Sequence, residues 1–393
     1  MKLELVIGTI CACLLSSCGN PKILLFEKFK GGMPKIGDNA VVVPFQLKHS
    51  HILEVNAILK DQTYPMIVDT GGMTMLDKSI NDTLKFETLS IPQQKAEFAI
   101  VDAMKLDEVS VLGMKVNLIG FNDTFKFDLT GMIGSDYLRF FNVTFDYQNR
   151  QITFKKSQKM KAENDAEHLM KIRMISPYFP TVKLRVNDRF DLPGMIDTGL
   201  HYQFVFPVSW LENLTASEQE NLVAAEGYFV RWPWNQSPQN YLYLMPELQM
   251  GDIVLKDVPV VFAEIPAFLN DETVLVGKYF MENYLTTIDF PKHAIKFTER
   301  EKSDYSLRYS AGINFAKKDG KLEITGIWQN SPAAEADLHP DSELLAVNGK
   351  SCEELTELEI ADIIMDKNIT QFFLTINRDG KEEEIRLEKR DLL

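Results

Sequence analysis

A chain of 393 residues, 45% hydrophobic and 25% charged, is long enough for two or three ordinary domain cores and too apolar to be disordered. Its net charge of −14 argues against nucleic acid as a partner, because phosphate binding runs on clustered Lys and Arg. Acidity by itself selects no substrate.

Met1-Lys2 precedes an apolar run from Leu5 to Leu15, too short for a permanent membrane helix and of the length of a secretory-signal core. The run ends in Leu15-Ser16-Ser17-Cys18-Gly19, which resembles the lipobox of bacterial lipoproteins. That resemblance implies that residues 1–17 are a signal peptide, that Cys18 is the lipidation site, and that the lipid holds the protein to a membrane. An outer-membrane anchor facing the periplasm is the expectation, with the cell surface as the alternative. Cys11 and Cys13 would leave with the signal and Cys18 would be acylated, so Cys352 alone would remain and no disulfide could form within the mature chain. Residues 18–39, with Lys, Gly and Pro but little periodicity, read as a tether.

From Ala40 the pattern becomes that of strands. Val41-Val42-Val43-Pro44-Phe45 is apolar, and Leu53, Val55, Ala57 and Leu59 alternate with mostly polar neighbours. The apolar stretch Tyr64-Pro65-Met66-Ile67-Val68 then runs into Asp69-Thr70-Gly71-Gly72. Leu106 to Gly113 reads as a strand, a turn and a return. Gly131-Met132-Ile133-Gly134 follows, and then a hairpin from Val143 to Phe154. These elements define a first unit, 40–155.

Residues 156–171, rich in Lys, Glu, Gln and Asn, read as a linker. In the unit 172–300 the same landmarks return in order. Val182, Leu184 and Val186 alternate, Gly194-Met195-Ile196 enters Asp197-Thr198-Gly199-Leu200, and Leu248 to Leu255 repeats the strand pair. Leu275-Val276-Gly277 repeats the apolar-apolar-glycine step, and a hairpin from Leu285 to Phe297 closes the unit. The second copy carries an insertion around Gly227 to Trp234. Two carboxylates in matching settings suggest a pair of acids brought together by a duplicated fold.

The doubled Asp-Thr-Gly, each with its later apolar-apolar-glycine motif, resembles the retropepsin-like aspartic proteases, here as two fused copies like the lobes of pepsin. The resemblance covers about 40–300. It implies a mostly β fold of two β-barrel lobes, with Asp69 and Asp197 as the catalytic dyad. It further implies that Thr70 and Thr198 lock the two loops, that Gly71 and Gly199 allow close backbone approach, and that Gly134 and Gly277 belong to motifs packed beneath the loops. The protease part is expected to be a monomer, with peptide or protein as substrate and no cofactor. Candidate flaps lie at about 93–104 and 227–243, with Trp232 and Trp234 in the second. Gly72 and Leu200 depart from the family, which usually has Ser, Thr or Ala there.

Residues 305–393 have a pattern of their own. Gly312-Ile313-Asn314-Phe315, Ser331-Pro332-Ala333-Ala334 and Val347-Asn348-Gly349 resemble a PDZ domain, a small α+β fold. The resemblance implies that Gly312, Ile313, Asn314 and Phe315 form a peptide-carboxylate loop and that a helix from Glu357 to Met365 walls the groove. Asp337, Asp341 and Ser342 stand where Gly, Gly and Asp are usual.

No metal is called for. His49 and His51 could share a strand face without an evident third ligand, and the remaining histidines are scattered. The resulting expectation is a lipid-anchored, exported aspartic endopeptidase whose PDZ domain recruits or positions substrate. The alternative is a non-catalytic peptide-binding lipoprotein that retains a degenerate cleft, Leu200 being bulky for its position.

Overall fold

The computed structural model describes residues 31–48, 50–91, 96–125, 129–175, 178–230, 239–266, 269, 271–303, 306–318, 321–378 and 380–393. The signal sequence, Cys18, His49, Trp232 and Trp234 lie outside them.

Period-two alternation builds the first barrel. Strand Ile52–Leu59 buries Leu53, Val55, Ala57 and Leu59, and the left-handed pair Lys60 (φ 45°) and Asp61 (φ 62°) turns it into Gln62–Asp69. From there the barrel continues through Gly131–Gly134, Met75–Asp77, Val109–Ile119 and Ala96–Leu106, which returns to Ile52–Leu59 and closes six strands without an edge.

The second unit repeats this order as Phe179–Val186, Phe190–Ile196, Val274–Val276, Phe204–Pro207, Ile253–Ala263 and Tyr241–Met250, again closed on its first strand. Asn187 (φ 49°) and Asp188 (φ 51°) turn the hairpin that corresponds to the one at Lys60.

A six-stranded sheet joins the halves in the order Val41–Pro44, Gln151–Lys155, Asn142–Asp146, Tyr284–Asp289, Ala294–Glu299, Glu167–Lys171. Three strands come from each half, related by a local two-fold that passes between Thr144 and Thr287, whose hydroxyl oxygens are 2.9 Å apart. This corrects the linker assignment. Its last five residues, Glu167–Lys171, form the outer strand of this sheet, the counterpart of Val41–Pro44, because main-chain bonds to Ala294–Glu299 outweigh an indifferent side-chain pattern. The expected tether likewise contains a strand, Met33–Lys35, on Val109–Ile119. One hydrophobic core runs through both halves, with Phe141 edge-on to Phe154 in the first and Phe280 edge-on to Phe297 in the second.

The third unit has its own core, into which Ile313, Ile360, Ile364 and Phe372 point. Its sheet contains Ile313–Lys318, Lys321–Trp328, Glu343–Val347, Gln371–Arg378 and Lys381–Glu388, with helix Glu357–Met365 capped by Thr356 and Glu359 in a reciprocal box. Asp337 (φ 56°) and Asp341 (φ 67°) hold the left-handed conformation that glycine usually supplies. Strand Val223–Gly227 joins this unit to the second barrel. Its first residues pair with Tyr241–Met250 and its last three with Lys321–Trp328, so the two sheets run on as one. No described helix is long and apolar enough to cross a membrane.

Candidate active site

Each loop begins where a barrel strand ends. Gln62–Asp69 runs parallel to Gly131–Gly134 with Gly134 opposite Asp69, and Phe190–Ile196 runs parallel to Val274–Val276 with Ile196 opposite Val276. Asp197 N–H then donates to Val276 O at 2.9 Å. The chain turns back at once, because Gly72 N–H bonds Asp69 O and Leu200 N–H bonds Asp197 O, each at 3.3 Å.

The two loops meet across the local two-fold and tie each other down. Thr70 N–H donates to Thr198 Oγ1 and Thr198 N–H to Thr70 Oγ1, both at 3.0 Å. Each hydroxyl donates onward to the opposite strand, Thr70 to Ile196 O at 2.7 Å and Thr198 to Val68 O at 3.2 Å. Both threonines are fully buried, so every one of these groups would be left without a partner if the lattice were broken.

The lattice holds the carboxyls of Asp69 and Asp197 side by side, each against the glycine of the opposite loop. Asp69 Oδ1 accepts from Gly71 N–H at 2.7 Å and Asp197 Oδ1 from Gly199 N–H at 2.9 Å. Here glycine is required by space. A Cβ on Gly71 would stand 2.6 Å from Asp197 Cγ, and one on Gly199 would stand 2.8 Å from Asp69 Oδ2. Gly134 and Gly277 are pressed against the main chain at Gly72-Met73 and at Leu200 and Tyr202, and Ser135 N–H and Lys278 N–H brace the loops through Gly72 O and Leu200 O.

Burial raises the pKa of both carboxyls, and for Asp197 the adjacent charge of Asp69 raises it further; the backbone N–H groups of the loops act in the opposite direction without reversing it. Two such carboxyls in contact titrate as a pair, and burial favours keeping a proton on it. Such a pair can take a proton from one oxygen nucleophile and deliver one to another group at the same moment.

Leu200 does not separate the acids. Its backbone N–H reaches the Asp197 carboxylate, while its side chain is buried in a hydrophobic cluster with Met195, Tyr202, Val205 and Leu275. The Gly72 counterpart has no side chain because Met132 Sδ fills that space.

The sequence pattern gave no sign of a contact between the halves beside the dyad. His51 from the first half stacks on His201 from the second with ring centroids 4.9 Å apart, and His201 Nε2 is hydrogen-bonded to Tyr279 Oη. His201 is held neutral, its pKa lowered well below the usual range by burial and then by His51 and Lys278. Only an alignment of the two copies onto a two-fold axis would have brought these residues together.

Of the expected flaps, residues 93–95 and 231–238 lie outside the described residues, and the rest adjoin two strand pairs. The first is Glu87–Ile91 with Ala96–Leu106, and the second is Val223–Gly227 with Tyr241–Met250. In the third unit Gly312 (φ 78°) opens strand Ile313–Lys318, and a Cβ there would run into Ser331. Gly312 N–H donates to Ser310 Oγ, Phe315 packs on the domain core, and the Asn314 amide donates to Tyr228 O and to Thr325 Oγ1. The side chain of Asn314 is thus engaged with the segment that follows strand Val223–Gly227 and with its own domain. Helix Glu357–Met365 shares the core with Ile313 and also approaches strand Gln46–Lys48 of the first half.

The family model of the PDZ domain matches residues 301–373. The paired strands continue past that match, through Lys381–Glu388 to Arg390–Asp391, which pairs with Tyr309–Ser310. No curated protein is similar enough to this chain to count as a match.

Proposed function

We propose that the chain is a two-lobe aspartic endopeptidase of the retropepsin-like kind, in which Asp69 and Asp197 share a proton and activate a water molecule against a peptide carbonyl. The observation that carries this reading is the pair of adjacent carboxyls at the ends of two barrel strands, tied by a reciprocal threonine lattice. A protein that only bound peptides would have no chemical need to hold two acids in contact and raise their pKa values.

In this mechanism the ionised carboxylate of the pair takes a proton from water as its oxygen bonds to the carbonyl carbon. The protonated partner hydrogen-bonds to the carbonyl oxygen as it becomes tetrahedral. Proton delivery to the amide nitrogen then lets the C–N bond break, and the pair returns to its single-proton state. Base and acid are properties of the pair and are not assigned to one residue. Substrate would lie extended beneath hairpin Glu87–Ile91 and Ala96–Leu106, its main chain pairing as an added strand and its side chains entering alternate pockets.

The PDZ domain would position substrate or the second lobe, and the lipid on Cys18 would hold the enzyme at the outer membrane, facing the periplasm. Incubating the purified chain with a broad peptide library tests the reading, with the Asp69→Asn/Asp197→Asn double variant as the blank. Defined new termini from the wild type alone support it. Binding of library peptides without any new termini would favour a non-catalytic peptide-binding protein instead.

A further inference from the structure

The two halves differ in strand pairing where the PDZ domain meets the second. In the first, strand Glu87–Ile91 pairs with Ala96–Leu106. Its counterpart Val223–Gly227 pairs with its own hairpin partner through Val223 and Ala224 only, and then carries Ala225, Glu226 and Gly227 onto Trp328, Ile327 and Gly326. Gly227 (φ 74°) presses against Thr325 O, leaving no space for a side chain. Just beyond it, Phe229 stacks on the Trp328 indole with centroids 3.8 Å apart and planes at 13°. Tyr202 Oη donates to Phe229 O at 2.9 Å.

Trp328 is fully buried and belongs to the same hydrophobic cluster as Leu200 and Tyr202, not to the core of its own domain. Leu200 immediately follows Asp197-Thr198-Gly199, and its backbone N–H touches the Asp197 carboxylate. An apolar side chain at 200 thus faces apolar surface that the third domain helps to supply. Packed interiors transmit displacements because they leave few voids to absorb them.

We infer that Trp328 is a positioning residue for the Asp197 loop: the PDZ domain completes the core behind Leu200 and fixes the second hairpin, leaving the first hairpin as the one free to admit substrate. This rests on the proposed peptidase reading. It accounts for Leu200 as the residue that connects the loop to the docked domain.

The test compares full-length Trp328→Ala, Trp328→Phe and Leu374→Ala, the last a truncation of the fully buried PDZ core away from the junction. The Trp328 indole N–H has no partner among the described residues, so phenylalanine keeps the stack on Phe229 without orphaning an acceptor. In Trp328→Ala, kcat should fall by about 10²-fold, the loss expected from a displacement near 1 Å, with the pH profile of kcat shifted and KM changed far less. Trp328→Phe should restore most of the rate. Leu374→Ala should lower Tm while leaving the pH profile in place.

Where Trp328→Ala does not fold, Phe229→Leu removes the stack while keeping apolar volume and should shift the profile in the same way. A folded Trp328→Ala or Phe229→Leu with wild-type kcat and pH profile overturns the inference. So does a loss of rate in Trp328→Ala that Leu374→Ala reproduces at equal loss of Tm. Should the wild type show no peptidase activity, the proposed function fails separately. The coupling is then read from titration of the Asp69 and Asp197 carboxyl carbons by NMR, which must shift between wild type and Trp328→Phe on one side and Trp328→Ala on the other.

Discussion

At residue 72 a Cβ would stand 2.9 Å from Asp69 Oδ2 and collide with Met132 Sδ, and at residue 200 the side chain turns away into an apolar cluster. Neither position therefore offers a hydroxyl to the ionised dyad, and the loop backbone N–H groups lower the pKa values without reversing the rise from burial and, for Asp197, from the charge of Asp69. A hydrogen bond to a carboxylate favours the charged form, so its absence leaves the shared proton bound to higher pH. Peptidase activity should peak well above pH ~3, roughly midway between the pepsin dyad values of about 1.5 and 4.7. A pH profile of kcat peaking below that value would contradict this account of the site. The sign of the stability effect agrees. Carboxyls whose folded pKa is raised bind more protons folded than unfolded, so their contribution is greatest below the unfolded value near ~3.9 and is lost as pH rises through the folded pKa. The sequence showed both acids and both departures, but not that Met132 occupies the space at 72, which depends on a strand about sixty residues away in the chain.

Among the elements, the strand-to-loop steps at Asp69 and Asp197 were legible because an apolar run ending in Asp-Thr-Gly occurs twice with the same sequels. Helix Glu357–Met365 was legible through the PDZ resemblance, and the structure adds the reciprocal cap of Thr356 and Glu359 that starts it. Strands Glu167–Lys171 and Val223–Gly227 were not, because neither Glu-His-Leu-Met-Lys nor Val-Ala-Ala-Glu-Gly has a marked alternation, and each exists through main-chain pairing with a distant edge. The cross-loop lattice is where element geometry becomes testable. Thr198→Val removes the acceptor for Thr70 N–H and the donor to Val68 O while keeping the side-chain volume. Each buried group left unpaired costs about 1–3 kcal/mol. Denaturant unfolding should show that loss, with kcat reduced as the loops loosen, and Thr198→Ser should recover both. Unchanged stability in Thr198→Val would mean that the loops are held by something other than the lattice.

On the scale of the whole molecule, the local two-fold through Thr144 and Thr287 turns a repeated sequence into a single bipartite site. Each barrel supplies one acid, one threonine and one glycine, and the six-stranded sheet and shared core set the distance between them. The third domain breaks this symmetry by pairing strands with the second half, through Val223–Gly227 and Trp328, while only its helix Glu357–Met365 approaches the first half, at Gln46–Lys48. The duplication could be read from order of motifs, whereas the docking could not, since it depends on which exposed edge a strand finds. What the assembly is proposed to do reduces to whether two carboxyls act as one. Peptide cleavage by Asp69→Asn and by Asp197→Asn, measured singly against wild type under the same conditions, asks this directly. Each variant should keep the fold and lose cleavage by about 10²–10⁴-fold, the usual contribution of a positioned acid or base. Undiminished cleavage by either one would contradict the shared dyad.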